Sequence, residues 1–266
     1  MLAQSCFAEL SGTRLYYEVA RDGQPLVLIH GFGLDLRMWD DQFTALARRF
    51  QVIRYDVRGF GKPTLPTHGP YTHANDLKGL LAHLALSQAH IIGLSMGGVI
   101  AISFALTYPN MVRSLILADT ALNGYQFSQV WTAQWDRIAA EARSHGPKGA
   151  NQLLLGHPLF AAARENAAVA SRLTQIINDY SGWHWINNDE HSESELPDQH
   201  RLNLITVPTL IIVGQRDLPD FQAIAALLQE RIPRASTVQL AQVGHMANME
   251  APVQFNDLVE TFLGSA

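Results

Sequence analysis

The chain has 266 residues, of which 47% are hydrophobic and 16% are charged. Its length suits one domain, or one domain with an insertion, and its apolar content is enough for a large core. The formal net charge of -5, without any run of lysine or arginine, argues against a nucleic-acid-binding surface. No apolar stretch is long enough to cross a bilayer. We therefore expect neither a nucleic-acid nor a membrane partner.

The N-terminal residues lack the basic and apolar regions of a secretory signal peptide. The single cysteine, Cys6, excludes an internal disulfide, which is typical of proteins of the reducing cytoplasm. Because Cys6 lies in a strand-like segment, we expect it to be a small buried apolar side chain. These features predict a cytoplasmic protein.

Apolar runs typical of buried strands alternate along the chain with segments whose apolar residues recur at helical spacing. The predicted strands cover residues 6–10, 15–20, 26–29, 52–55, 91–92, 114–118, 209–213 and 237–240. The predicted helices cover residues 39–50, 77–84, 99–106, 221–228 and 252–262, and a loop rich in proline and threonine follows residue 61. This alternation predicts an α/β fold, in which helices cover both faces of a mostly parallel sheet.

The alternation stops between residues 122 and 205, where the pattern is helical and amphipathic. This segment is too long for one crossover connection. We predict that residues 122–205 form a helical cap, or lid, over the edge where the strands end. The predicted core then consists of residues 1–121 and 206–266.

A G-x-S-x-G motif, Gly93-Leu94-Ser95-Met96-Gly97, lies between a predicted strand and a predicted helix. This is the context of a nucleophile elbow, a sharp turn that lifts a serine hydroxyl clear of the sheet. We expect strained backbone angles at Ser95 and close packing of strand and helix at the glycines. The alternative is a glycine-rich turn with an incidental serine.

A serine hydroxyl becomes a good nucleophile only when a base takes its proton and an acid orients that base. His245 follows the last predicted strand, on a loop that ends where Pro252 begins a helix. Asp217 follows the strand at 209–213, so the chain order is Ser, Asp, His. Asp119 follows the strand at 114–118 and remains an alternative for the acid. From the residue type, we expect kcat/KM to rise with an apparent pKa of about 6 to 7.

An oxyanion that forms during attack needs two N–H donors. We assign them to the backbone N–H groups of Met96, next to the nucleophile, and of Phe32, which lies between two glycines in His30-Gly31-Phe32-Gly33. Asp56 and Arg58 are interpreted as a pair that pins a turn rather than as catalytic groups.

The motifs H-G-F-G, D-V-R-G-F-G, G-L-S-M-G-G, G-Q-R-D and G-H resemble those of the α/β-hydrolase fold superfamily, over about residues 10–120 and 205–264. The resemblance implies an eight-stranded, mostly parallel sheet with a helical cap. R-Y-D-V-R-G-F-G together with G-L-S-M-G-G is similar to 3-oxoadipate enol-lactonases and to small carboxylesterases. The cap has no clear arginine pair for a dicarboxylate, since Arg143, Arg164 and Arg172 can all be surface residues.

These observations predict a serine hydrolase of carboxylic esters, in which Ser95 attacks, His245 moves the proton and Asp217 orients His245. Its substrate would be a small-molecule ester or lactone, and no metal or organic cofactor is required. A lactonase of the 3-oxoadipate enol-lactonase type and a C–C bond hydrolase would use the same triad. A ligand receptor on the same fold is the alternative from another class. The sequence does not indicate the oligomeric state.

Three tryptophans of the predicted cap are candidates for the substrate pocket: Trp131, Trp183 and Trp185. We expect at least one of Trp183 and Trp185 to line the cavity together with Phe32 and Met96. In an extended stretch these two residues would share a face, but in a helix they would not. The alternative is that they fill the core of the cap.

Overall fold

The computed structural model describes residues 4–10, 12–62, 70–187, 189–192 and 196–265, and the proline- and threonine-rich loop lies mainly outside these ranges. The described strands form one eight-stranded sheet in the order β1-β2-β4-β3-β5-β6-β7-β8. They are β1 (Gln4–Leu10), β2 (Thr13–Ala20), β3 (Gln24–Ile29), β4 (Phe50–Tyr55), β5 (Ala89–Leu94), β6 (Val112–Ala118), β7 (Thr209–Gly214) and β8 (Ala235–Leu240).

The sheet is mixed but mostly parallel. Strand β2 pairs antiparallel with β1 and with β4, and all the other neighbours run parallel. Strands β5 and β7 are buried along their whole length, as expected for parallel strands that are covered on both faces. The predicted α/β class with an eight-stranded, mostly parallel sheet is confirmed.

The described helices include several that open on a capping side chain or on proline, such as the two that begin at Pro219 and Pro252. The described α-helices are α1 (Asp40–Leu46), α2 (His73–His83), α3 (Met96–Thr107), α4 (Gln129–His145), α5 (Pro147–Gly156), α6 (Ala161–Glu165), α7 (Ala167–Asp179), α8 (Trp183–Ile186), α9 (Pro219–Arg231), α10 (Ala247–Glu250) and α11 (Pro252–Ser265). A search of these helices found none with the length and apolar character of a membrane span.

The parallel strands place the candidate catalytic residues at one edge of the sheet. Ser95 directly follows β5, Asp119 directly follows β6, Asp217 comes shortly after β7 and His245 shortly after β8. Because the carboxyl ends of parallel strands lie at the same edge, residues far apart in sequence meet there.

Two expectations about the first half of the chain are wrong. Cys6 is exposed, because β1 is the edge strand of the sheet and α2 contacts it near Leu10 at the other end. The predicted helix at 39–50 is shorter: α1 ends at Leu46, and Phe50 begins β4. Turns in which Arg48 and Arg49 donate to the carbonyls of Ala45 and Leu46 end this helix.

Helices α4 to α8 lie between β6 and β7 along the chain. Trp131 and Trp135 of α4, Leu154 of α5 and His184 of α8 line a cavity together with Ser95. The segment between β6 and β7 therefore supplies part of the wall that faces the nucleophile. That this segment forms a separate cap with limits 122–205 stays a prediction.

Candidate active site

Ser95 lies between β5 and α3 in a strained backbone conformation, with φ 55° and ψ -117°. Its N–H donates to the carbonyl of Ala118 at 3.1 Å, and its own carbonyl accepts from the N–H of Gly98 at 3.0 Å. These hydrogen bonds hold the turn in place, and Ser95 lines the cavity. The geometry matches the predicted elbow.

Two glycines allow the elbow to be tight. A Cβ on Gly93 would overlap the carbonyl of Gly97, and a Cβ on Gly97 would overlap the carbonyl of Ile29. Any side chain at either position would therefore push α3 away from β5 and β3. This close approach sets the position of Ser95 at the start of α3.

His245 and Asp217 form a buried pair. Nδ1 of His245 lies 2.9 Å from Oδ2 of Asp217, and Oδ1 of Asp217 accepts from the N–H of Leu218 at 2.7 Å. Because a carboxylate accepts, Nδ1 carries the hydrogen and Nε2 is left as the acceptor. Nε2 makes no hydrogen bond with any described residue, and His245 lines the same cavity as Ser95. This is the arrangement of a general base with its orienting acid.

Asp119 lies close to this pair but has a different partner. Its Oδ1 accepts from the N–H of Gly214 at 2.7 Å. Burial raises the pKa of both Asp119 and Asp217. The carboxyl that meets the imidazole is therefore that of Asp217, whereas the described hydrogen bond of Asp119 goes to the backbone of Gly214.

Burial also controls the basicity of the histidine. It lowers the pKa of His245 to about 4, against the opposing effect of the nearby carboxyls of Asp119 and Glu250. The ring of Phe221 covers His245, with the two ring centroids 4.4 Å apart. His245 is therefore neutral, and able to accept a proton, well below pH 6.

Glu250 holds the loop that carries His245. Its carboxylate accepts from the N–H of Gly244 at 2.7 Å and from the N–H of Met246 at 3.0 Å. These are the two residues that flank His245, so one side chain of α10 fixes both sides of the histidine. Glu250 is not among the residues predicted from the sequence, although its position five residues after His245 was a usable signal.

The two N–H groups assigned to the oxyanion hole border the nucleophile. Phe32 and Met96 both line the cavity, and neither N–H donates a hydrogen bond within the described part of the chain. A Cβ built on Gly31 would lie 3.4 Å from Cβ of Ser95, so the loop that carries Phe32 passes directly beside the nucleophile.

His30 fixes the loop that carries Phe32. Its Nε2 accepts from the N–H of Val57 at 2.9 Å, so Nδ1 carries the hydrogen and donates to the carbonyl of Gly31 at 2.8 Å. Burial lowers the pKa of His30 to about 4, which keeps the ring in the neutral form that these two hydrogen bonds require. The sequence analysis quoted His30 within a motif but predicted no role for it.

The cavity has a volume of about 760 Å³. Much of its wall is aromatic, from Phe32, Phe127, Trp131, Trp135, Phe160 and Phe221. A smaller polar region contains Ser103, Asn123, Asp198 and Arg201. A search of the described residues found no group of three or more His, Cys, Asp or Glu side chains placed to hold a metal ion. Mostly apolar cavities with a few polar groups are typical of small-molecule sites.

A family model described as the alpha/beta hydrolase fold matches residues 24–252. This chain belongs to the α/β-hydrolase family. It is 30% identical over 254 residues to the putative carbamate hydrolase RutD of Azorhizobium caulinodans, which covers 94% of this chain and 95% of that protein.

Two solved structures of the family are similar to this α/β-hydrolase along its length. The enol-lactonase from Burkholderia xenovorans has a TM-score of 0.84 and 28% identity, and the match covers 97% of this chain and 100% of that one. A thermophilic esterase from Thermogutta terrifontis has a TM-score of 0.83 and 28% identity, with 100% and 99% covered. The predicted resemblance to the superfamily and to its enol-lactonase-like members is confirmed.

The cap tryptophans of this α/β-hydrolase occupy different places. Trp131 lines the cavity, but neither Trp183 nor Trp185 is among its described lining residues, so the expectation for these two does not match the structure. They lie in the short helix α8, which turns His184 rather than either tryptophan toward the cavity. Trp185 is buried behind Phe32, with their ring centroids 5.4 Å apart.

The candidate arginines of the cap lie outside the described lining of the cavity. Arg164 donates to the carbonyls of Leu155 and His157, Arg172 pairs with Asp41 at 2.7 Å, and Arg143 is exposed. Among the described lining residues of the cavity, the arginine is Arg201. It was not predicted, because it lies after the last helical pattern recognised between residues 122 and 205.

Asp56 and Arg58 have structural roles, but not as a pair with each other. Arg58 forms a bidentate pair with Asp76, with Nη2 2.6 Å from Oδ1 and Nε 2.8 Å from Oδ2. Asp56 accepts from the N–H groups of Leu36 at 3.0 Å and Lys62 at 2.8 Å. Both residues therefore order the loop after β4, and the predicted direct pairing is wrong.

Proposed function

We propose that this α/β-hydrolase is a serine hydrolase that cleaves carboxylic esters through an acyl-enzyme on Ser95. The observation that carries the proposal is the state of His245, whose Nδ1 is bound to Asp217 while Nε2 is unpaired beside the cavity that Ser95 lines. A neutral imidazole held in this tautomer can take the proton of a serine hydroxyl.

In the proposed mechanism, Oγ of Ser95 attacks the acyl carbon while Nε2 of His245 takes the hydroxyl proton. The N–H groups of Phe32 and Met96 stabilise the oxyanion, and Asp217 stabilises the imidazolium. The ester C–O bond then breaks, and His245 gives the proton to the leaving alcohol oxygen. A water molecule activated by His245 attacks the acyl-enzyme, releases the acid and restores Ser95.

The proposed substrate is a small-molecule ester with a substantial apolar part, because most of the cavity wall is aromatic or aliphatic. Opening of a lactone is the second candidate. It is favoured by the similarity to an enol-lactonase over 97% of this chain, and it needs the same nucleophile, base and oxyanion donors. Carbamates and C–C bonds next to a carbonyl are further substrates for the same triad.

A screen of p-nitrophenyl esters, lactones, carbamates and ring-cleavage dienoates on purified protein tests this proposal. Ser95→Ala should lower kcat by several orders of magnitude, about 10³ or more, without loss of folding. Ser171→Ala, at an exposed position of α7, is the matched control and should leave kcat unchanged. A fluorophosphonate should label Ser95 alone.

Two results would contradict the proposal. Activity retained by Ser95→Ala, or labelling of another residue, would show that Ser95 is not the nucleophile. A single slow turnover followed by tight retention of the product would indicate a ligand receptor instead of an enzyme.

A further inference from the structure

Three aromatic side chains form a cluster beside the catalytic histidine, here called the aromatic cage: Phe127, Trp131 and Phe221. The ring centroid of Phe221 lies 5.9 Å from that of Phe127 and 5.3 Å from that of Trp131, and Phe127 and Trp131 stack at 5.0 Å. All three residues line the cavity. The cage therefore joins the start of α4 to the start of α9.

The cage lies on the histidine side of the nucleophile, because Phe221 packs directly on His245 with ring centroids 4.4 Å apart. In ester hydrolysis the alcohol oxygen must approach Nε2 of His245, since the histidine protonates this oxygen as the C–O bond breaks. The rest of the alcohol then extends past the histidine, where the nearest described wall is the cage.

Within the cage, Trp131 presents the edge of its ring to the cavity. Trp131 is sandwiched between Phe127 and Trp135, with interplanar angles of 22° and 13°, so both of its faces are covered. Aromatic edges carry partial positive charge and pack best against the π-face of another ring. A flat aromatic ring therefore fits this wall better than a saturated ring of the same size.

Hydrogen bonds hold the cage in this arrangement. The N–H and hydroxyl of Ser128 donate to the two carboxylate oxygens of Asp220, at 3.1 and 2.7 Å. Ser128 directly follows Phe127, and Asp220 directly precedes Phe221. The link therefore fixes the two sides of the cage relative to each other, so the subsite is formed before a substrate binds.

The other end of the cavity has a different character. Along α3 it reaches Ser103, about 12 Å from Ser95 at 1.5 Å per helical residue. Ser103 donates to Asp198, and Asp198 also pairs with Arg201. These groups prefer polar atoms, so this part of the wall does not favour an aromatic ring as the cage does.

We propose that the aromatic cage is the leaving-group subsite, and that the preferred substrates are esters of alcohols that carry an aromatic ring. This inference rests on the proposed ester hydrolysis. It places the alcohol part of the substrate in the cage, on the side of Ser95 where His245 lies.

Two isomeric esters test the assignment: benzyl acetate has its ring on the alcohol, and methyl phenylacetate has its ring on the acid. The leaving alcohols, benzyl alcohol and methanol, are of similar acidity, so the intrinsic reactivity of the two esters does not strongly favour either one. We expect a higher kcat/KM for benzyl acetate. The kcat/KM for benzyl acetate should also exceed that for cyclohexylmethyl acetate by roughly 3- to 10-fold, because a saturated ring has no π-face.

Variants locate the effect in the cage. Trp131→Leu and Phe127→Leu should each lower kcat/KM for benzyl acetate by about 10- to 100-fold, and change that for ethyl acetate by less than about threefold. Trp183→Leu, the same exchange at a tryptophan of α8 outside the described lining, is the matched control. Circular dichroism and thermal melting check that each variant is folded.

The outcomes separate this inference from the proposed function. If no ester is hydrolysed and Ser95 is not labelled by a fluorophosphonate, the proposed function fails. If esters are hydrolysed but methyl phenylacetate is preferred, or if Trp131→Leu lowers kcat/KM equally for benzyl and ethyl acetate, the leaving-group assignment is wrong while the hydrolase proposal stands.

Discussion

Each of the two carboxyls near His245 has its own backbone partner. Asp217 accepts from Leu218 and faces Nδ1 of His245, whereas Asp119 accepts from Gly214. At the scale of single residues, the contact with the imidazole therefore favours Asp217 over Asp119 as the acid of the proposed triad.

Asparagine substitutions test this difference. Asp217→Asn should lower kcat by a large factor, about 10⁴ by analogy with a serine-protease triad, because the amide favours the wrong tautomer of His245. Asp119→Asn should cost much less, within about one order of magnitude, because the hydrogen bond to His245 comes from Asp217 and an amide oxygen at position 119 can still accept from Gly214. Steady-state kinetics on one ester compares the two variants, and the reverse order would make Asp119 the acid.

The pH profile of the free enzyme reports on the burial of His245. Only the neutral ring can take the proton of Ser95, so activity is lost as pH falls through its pKa. Burial lowers that pKa to about 4, and the acidic limb of kcat/KM should lie near this value rather than at the pH of about 6 to 7 expected from residue type.

Measuring kcat/KM for a small neutral ester from pH 3 to 9 checks this limb, with circular dichroism at each pH to confirm that the enzyme stays folded. A midpoint of 6 to 7 in folded protein would show that water reaches His245 and that the ring is not desolvated.

At the scale of elements, helix α10 positions the catalytic histidine through Glu250. Glu250→Gln keeps the shape but replaces one accepting oxygen by an NH₂ group, so either Gly244 or Met246 loses its partner. We expect kcat to fall by about 10-fold, with a smaller change in KM, because a misplaced base costs more in the transition state than in binding.

Glu260→Gln is the matched control for this prediction. Glu260 lies in α11 and pairs with Arg49 at 3.5 Å, with both side chains partly exposed. If both variants show the same kcat as the unmodified enzyme, the two hydrogen bonds of Glu250 do not control the position of His245.

At the scale of the whole molecule, buried ionisable groups make the stability depend on pH. Burial lowers the pKa of six described histidines: His30, His73, His90, His157, His184 and His245. Below pH about 6 the unfolded chain binds protons at these side chains that the folded chain does not bind, so acidification favours unfolding.

Buried carboxyls act in the opposite direction. Burial raises the pKa of Asp56, Asp76 and Asp119, so the folded chain keeps protons that the unfolded chain releases above pH about 4. The buried histidines are more numerous than the buried carboxyls, so their effect on the free energy of unfolding should be the larger one. We therefore expect the midpoint of urea unfolding to fall between pH 6 and pH 4.5, and an unchanged or higher midpoint would contradict this.

His90→Gln provides a check on the cause. His90 is buried far from the cavity lining, with its Nδ1 2.7 Å from the hydroxyl of Ser114, so its removal should make the pH dependence shallower by about one proton.

The sequence by itself determined the fold class and indicated Ser95 as the candidate nucleophile. Alternating strand and helix patterns are local, and they predicted the α/β sheet because parallel strands need crossover helices. The elbow is also local, since the glycines around Ser95 act on residues that are near in sequence. His245 and the two candidate acids each follow a predicted strand. The sequence therefore also predicted that they lie at one edge of the sheet, because the carboxyl ends of parallel strands lie together.

Only the tertiary structure decided how those residues interact. Asp119 and Asp217 follow neighbouring strands, and the sequence does not show which carboxyl meets His245 and which meets Gly214. The conformation of residues 183–186 depends on packing, and as a helix it turns His184 to the cavity and hides Trp185. The pKa of His245 likewise depends on how completely Phe221 and its other neighbours exclude water, and that exclusion exists only when distant parts of the chain pack together.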